Sequence, residues 1–451
     1  MFAPGHLGEL TGIVGFDLVD AALEQAGAVQ SRVRLLPSRV VVYLLLAGAL
    51  FTGLGYRQVW ARLCAGLPGA AVTRPGSSAL AQALRRVGVK PLRVLFDLVR
   101  GPAAGAARWR GLVVCAIDGT TMFVPDSAAN VARFGRHGGG HAVAGYPMLR
   151  LLTVVACGTR TVVDAVFGPS QIAETTYAPR LFRCLRPGML LLADRNFAVT
   201  ALIEQITATD TDLLIRAKLN RRVPAIRHLS DGSWLTRTGT ATVRVIDADI
   251  AVTCSDGPRR VERYRLITSL TDHYRYPAAD LVTLYHQRWE IETGYFELKS
   301  TILGGRVLRA RTPAGVEQEV YALLTTYQAL RTAIADTALA TPGFAPDRGS
   351  FTIALHTARD QLIHATGILA TTTIDLIGTI GRAVLADPLP PRRARTSPRI
   401  VKRAISKHRA KGDIDRRIHK NADQRPYRAR LTTGHEPKLR GLGPSTSSRS
   451  S

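Results

Sequence analysis

Tyr285, Arg288, Glu292 and Lys299 bring a phenol, two cations and a carboxylate into one short segment, YHQRWEIETGYFELKS. On an α-helix, at about 100° per residue, the four fall within roughly a 60° stripe, and Glu290 and Glu297 fall on the opposite side. One account of the stripe is a solvated face. Arg288 and Glu292 are then an ordinary i,i+4 ion pair, contributing about 0.2–0.5 kcal/mol. The other account is phosphodiester chemistry, in which a carboxylate faces a metal ion and cations hold phosphate. On that account Glu292 is required for cutting, and Glu290 and Glu297 are dispensable.

Two further carboxylates suit the second account. Asp118 follows the apolar run VVCAI, and Asp194 follows LLLA. Such runs predict buried strands, and a strand end at a sheet edge opens into a crevice. Asp126, Asp164, Asp247 and Asp249 are read as surface or turn residues.

The elements around these residues form a recognisable order. Residues 1–105 read as a helical domain suited to binding a DNA end, punctuated by Pro75-Gly76 and Pro102. Segment 111–118 is a strand. A Gly-rich basic loop at 134–147, with Arg136, His137 and His141, is read as facing DNA rather than holding a metal. LRLLTVVACG and TVVDAVFG form a hairpin, 171–186 a helix, and GMLLLAD another buried strand. This sequence of elements predicts a mixed α/β sheet. Residues 212–270 read as a β-rich insertion, with Asp231-Gly232 and Asp256-Gly257 as turns. Pro277 opens a long helix to about Leu303, and further helices follow at 313–340 and 351–363, with C-terminal helices assigned to 346–385.

Charge names the partner class. The chain has 451 residues, with 60 Lys+Arg against 34 Asp+Glu, a net charge of +26. Such a chain seeks a polyanion, nucleic acid before an anionic membrane. Half of that excess lies in 386–451, where 18 Lys/Arg face 5 Asp/Glu; this tail is expected to be disordered until it meets a polyanion. Residues 40–56 are uncharged, but their glycines favour a helix buried in a soluble domain over a membrane span. The five cysteines show no CxxC spacing and are read as reduced, and no signal peptide is apparent. A cytoplasmic, nucleoid-associated protein is the expectation.

The pattern Tyr-x2-Arg-x3-Glu-x6-Lys resembles the YREK signature of the insertion sequence 4 family of DDE transposases. AIDGTTM around Asp118, LLADRNF around Asp194, Arg288-Trp289 and YPMLRLLTVV agree with it, and the resemblance spans roughly 30–340. It implies a ribonuclease-H-like catalytic domain over 106–345 with the β insertion inside it. Asp118, Asp194 and Glu292 would be both catalytic and metal-binding, holding two Mg²⁺ or Mn²⁺ ions. Tyr285, Arg288, Lys299, Trp289 and Arg195 would contact DNA, with Trp289 able to stack on a flipped base. The partners implied are double-stranded DNA, namely the element's terminal inverted repeats and target DNA, and a second copy of the chain on paired ends. A nuclease of the same fold and a non-catalytic DNA-binding descendant are the alternatives.

Overall fold

A computed structural model describes residues 5–32, 34–67, 72–136, 145–253, 259–364, 377–390 and 428–430. His137, His141 and nearly all of the basic tail lie outside the described residues.

Five helices come first: α1 (Phe16–Gln25), α2 (Ser38–Leu50), α3 (Tyr56–Ala65), α4 (Ser77–Val87) and α5 (Lys90–Val99). α2 is apolar nearly all round and is buried from Val40 to Leu50, as a helix surrounded by other helices must be. Carbonyls at its end and in the turn that follows are satisfied from far along the chain. Arg309 donates to Gly48 O at 2.8 Å and to Leu54 O at 3.0 Å, and Arg359 donates to Leu50 O at 2.7 Å. Among the described residues, no helix is long and apolar enough to cross a membrane.

The sheet then builds outward from its centre. β1 (Arg108–Trp109) is a short partner of β2 (Leu112–Phe123). After α6 (Ala128–Phe134) come the hairpin β3 (Met148–Ala156) and β4 (Val162–Pro169). The expected helix at 171–186 is only a four-residue α7 (Glu174–Tyr177) and a 3-10 helix, Ala178–Cys184, where Pro179 removes a backbone donor. β5 (Met189–Ala193), α8 (Thr200–Thr207) and β6 (Asp212–Ala217) follow. The order is β4-β3-β2-β5-β6, with β2, β5 and β6 parallel and the hairpin antiparallel. This is a ribonuclease-H-like sheet.

The β insertion begins later than the sequence suggests. β6 belongs to the central sheet, because its apolar run pairs in parallel with β5. β7 (Arg227–His228), β8 (Trp234–Thr238), β9 (Ala241–Thr253) and β10 (Arg259–Thr268) continue the same sheet outward, with β10 antiparallel to β6.

The long helix is segmented into α9 (Ala278–Tyr285), a 3-10 turn His286–Arg288, α10 (Trp289–Phe296) and a π-helical turn Glu297–Ile302. Pro277 caps it from outside rather than occupying its first position. α11 (Pro313–Ala340), α12 (Phe351–His364) and α13 (Gly378–Ala386) complete the fold, and β11 (Arg428–Arg430) pairs with β9.

Strand alternation divides the core in two. Val114, Ala116, Leu190 and Leu192 face the N-terminal helices, α9, α10 and α11. Cys115, Ile117, Leu191 and Ala193 face α7, the 3-10 helix and α8. Asp164, expected at a turn or surface, is fully buried and pairs with Arg183 at 2.7 Å and Arg100 at 3.3 Å.

Candidate active site

The site begins with a mismatch in strand length. β5 stops at Ala193, paired with Ile117, but β2 runs on to Phe123 because β3 pairs with it throughout. Asp118 is therefore mid-strand, not at a strand end. Asp118 and Asp194 are next in register after the last β2–β5 pair, on strands about 4.8 Å apart. Both continue the alternate positions that face the helices, after Val114 and Ala116 on one strand and Leu190 and Leu192 on the other.

That placement charges Asp118 unfavourably. Burial pushes its carboxyl up to about 7; Arg288 and the Gly119 amide oppose the shift, and Asp194 and Glu174 add to it. Asp118 Oδ1 accepts from Gly119 N at 2.8 Å, and Asp194 Oδ1 accepts from Asn196 N at 2.8 Å. The latter bond bends the chain away where β5 ends.

α10 supplies the third carboxylate. Arg288 lies between two acids, with NH1 3.3 Å from Asp118 Oδ2 and NH2 3.0 Å from Glu292 Oε1. Lys299 Nζ donates to Thr120 Oγ1 at 3.1 Å, two residues beyond Asp118 on the same strand face, and burial lowers its pKa. Trp289 is half-buried, with the Arg288 guanidinium 5.3 Å from its ring. Arg195 is exposed beside Asp194.

Tyr285 departs from its expected place among the DNA contacts. It is buried, and its hydroxyl donates to Ala193 O at 3.0 Å. It fixes the end of β5 immediately before Asp194. Burial raises its pKa, so the phenol stays protonated and can donate.

Glu290 and Glu297 are on the opposite side, as the helical angles require, but they are not surface acids. Both are buried. Arg160 Nε contacts Glu290 Oε2 at 2.5 Å and its NH1 contacts Glu297 Oε1 at 3.0 Å. Arg331 also pairs with Glu297, and Tyr327 OH donates to Glu297 Oε2 at 3.1 Å.

Among the described residues, no three His, Cys, Asp or Glu side chains gather as a closed metal-ligand set. The Arg288 guanidinium holds the space between Asp118 and Glu292 instead.

Comparison with known proteins identifies the family. The model of the insertion element 4 transposase N-terminal region matches residues 4–97, and the transposase DDE domain matches 109–328. The transposase InsG for insertion sequence element IS4 of Escherichia coli (strain K12) is 28% identical over 401 residues, 86% of this chain and 90% of that one. The chain belongs to the insertion sequence 4 family of DDE transposases. The putative transposase InsZ of the same strain is 29% identical over 27% of this chain and 42% of its own. A solved piggyBac transposase synaptic complex with hairpin DNA aligns over 85% of this chain and 86% of that chain, at 11% identity and a TM-score of 0.44. The family match makes the protein a DNA transposase, an enzyme whose partner is DNA.

Some residues that shape the transposase site were not singled out by sequence. Tyr295 OH contacts Asp118 O at 2.5 Å and Thr153 Oγ1 at 2.9 Å, joining α10 to β2 and β3. In sequence it is one more aromatic residue on an apolar helix face. Glu174 crowds Gly119, where an added Cβ would lie 2.4 Å from its Oε1. Its place at the start of a short helix gave no signal of that approach.

Proposed function

We propose that the transposase cuts DNA at the terminal inverted repeats of its element and joins the freed 3′-hydroxyl ends to target DNA. Asp118, Asp194 and Glu292 form the cutting centre in this reading. The observation that carries it is the β2–β5 register, which sets Asp118 beside Asp194 facing the helix that bears Glu292.

These three carboxylates suit Mg²⁺ or Mn²⁺, because they are hard oxygen donors with few competing ligands. The fit has a local sign: Asp118 is buried beside a second acid, and a cation, here the Arg288 guanidinium, already spans Asp118 and Glu292. When bound, two such ions activate the attacking oxygen and stabilise the leaving one. Arg288, released from the carboxylates, is placed to hold a phosphate oxygen, with its planar fork suited to that geometry. Lys299 adds a second cation beside Thr120. Trp289 offers a ring to a base unstacked at the cut. Tyr285 and Tyr295 act on the protein: one fixes the end of β5 and the other fixes β2. Two copies would pair the two element ends.

Cleavage of a duplex carrying the candidate terminal repeat tests this reading. With Mg²⁺, the wild-type protein should cut at the repeat boundary, and Glu292→Ala should bind the duplex with no cutting. Undiminished cutting by Glu292→Ala would remove the assignment.

A further inference from the structure

A second basic surface lies directly behind the carboxylate edge. A cleft of about 670 Å³ is lined by Arg150, Glu174, Arg195, Asn196, Lys218 and Arg221, among others. Its walls are the segments that follow β5 and β6, together with the start of α7. In a sheet with parallel strands, the crevice beyond the strands' carboxyl ends is where ligands settle. The cleft is close to the cutting centre on both sides. Arg195 follows Asp194 directly, and Glu174 lies against Gly119, the residue after Asp118.

Its chemistry suits a polyanion. Glu174 pairs with Arg150 at 2.7 Å, which leaves the lining with more cations than carboxylates. Arg150 also donates to Ser170 O at 2.9 Å, but its Nε is buried with no hydrogen-bond partner. Arg221 is held to the wall by Ala198 O and by Thr200 Oγ1 at 3.3 Å, so its cation is fixed in place. The volume is that of a small-ligand pocket. Such a volume takes a short stretch of one strand and not a whole duplex.

We infer that this cleft binds a single DNA strand by its phosphates, receiving the unpaired nucleotides that lead away from the scissile phosphate. The inference rests on the proposed cutting centre, because the cleft's place beside Asp118 and Asp194 decides which part of the DNA enters it. A basic groove holds a strand chiefly through its phosphates.

The test is fluorescence anisotropy with the full chain in EDTA, so that nothing is cut. The probes are a labelled oligodeoxynucleotide of about 12 nucleotides and the same sequence as a duplex. Arg195→Ala/Lys218→Ala should weaken single-strand binding about tenfold and lower its salt slope by about 1.4, at about 0.7 per lost phosphate contact. Duplex binding should change less than about twofold. Equal losses on both probes would mean diffuse surface charge and overturn the proposal, as would no loss on either. Thermal unfolding of the double variant should match wild type, because both side chains are exposed; the charge-keeping pair Arg195→Lys/Lys218→Arg should retain strand binding. Glu292→Ala separates the two readings. If it still cuts while the double variant loses only strand binding, the cutting centre is misassigned and the cleft stands.

Discussion

The two faces of the helix 278–302 use the same residue types for opposite ends. On one face, Arg288 and Glu292 join Asp118 at a partly exposed edge, where a carboxylate is held at a cost. On the other, Arg160 and Arg331 meet Glu290 and Glu297 in a buried network with matched charges. The difference lies in compensation. A buried pair with matched charges holds a helix in place, and losing one partner is severe. An acid left without enough compensation is ready to take a cation. The buried network locks the helix so that the other face can keep an unfavourable arrangement.

The largest effect should come from Glu292→Ala. Losing the third carboxylate of the proposed centre should cost several kcal/mol of transition-state stabilisation, at least about a 1000-fold loss in cutting. Thermal unfolding should barely move, and gel-shift affinity should hold within about twofold. A large fall in melting temperature would erase the contrast between the faces.

Glu297→Ala should do the reverse. It leaves Arg160 and Arg331 short of a buried partner, a loss of about 3–5 kcal/mol in stability. Denaturant unfolding reads this directly. The double change Arg160→Met/Glu290→Leu should recover much of the loss seen in Arg160→Met alone, because replacing both charges removes the uncompensated one.

The charge cost at Asp118 has a pH signature. Its folded pKa, about 7, lies above the ordinary value of about 3.9. The folded state therefore binds the proton more tightly, and stability falls as pH rises between about 4 and 7. In metal-free buffer, Asp118→Asn should melt higher than wild type at pH 8, and the gap should close toward pH 4. A variant that melts lower at pH 8 would mean that Asp118 is compensated like the acids of the opposite face.

The smallest effect belongs to Tyr285→Phe. Its hydroxyl satisfies Ala193 O, so removal should cost about 1 kcal/mol in stability. Cutting should slow a few-fold through kcat with KM unchanged, because the buried hydroxyl acts by positioning the end of β5. A rise in KM with kcat intact would return Tyr285 to the DNA contacts.

The sequence by itself determined the strands, the stripe and the partner class. The apolar runs before Asp118 and Asp194 read as buried strands that carry both acids to a crevice. Fixed helical spacing put Arg288 near Glu292 and put Glu290 and Glu297 opposite, and the excess of Lys and Arg required a polyanion. Other facts depended on contacts between distant segments. Strand pairing decided that β2 outruns β5, so that Asp118 sits mid-strand, and that β6 belongs to the central sheet. Local turns altered the helix into 3-10 and π segments that a uniform 100° step does not describe. Whether an acid is a surface charge or a buried counter-ion depends on what packs against it. Arg160 and Arg331 lie far from Glu290 and Glu297 in the chain, as Glu174 does from Gly119. Only the tertiary structure could bring them together, because a side chain's electrostatic environment is set by its neighbours in space.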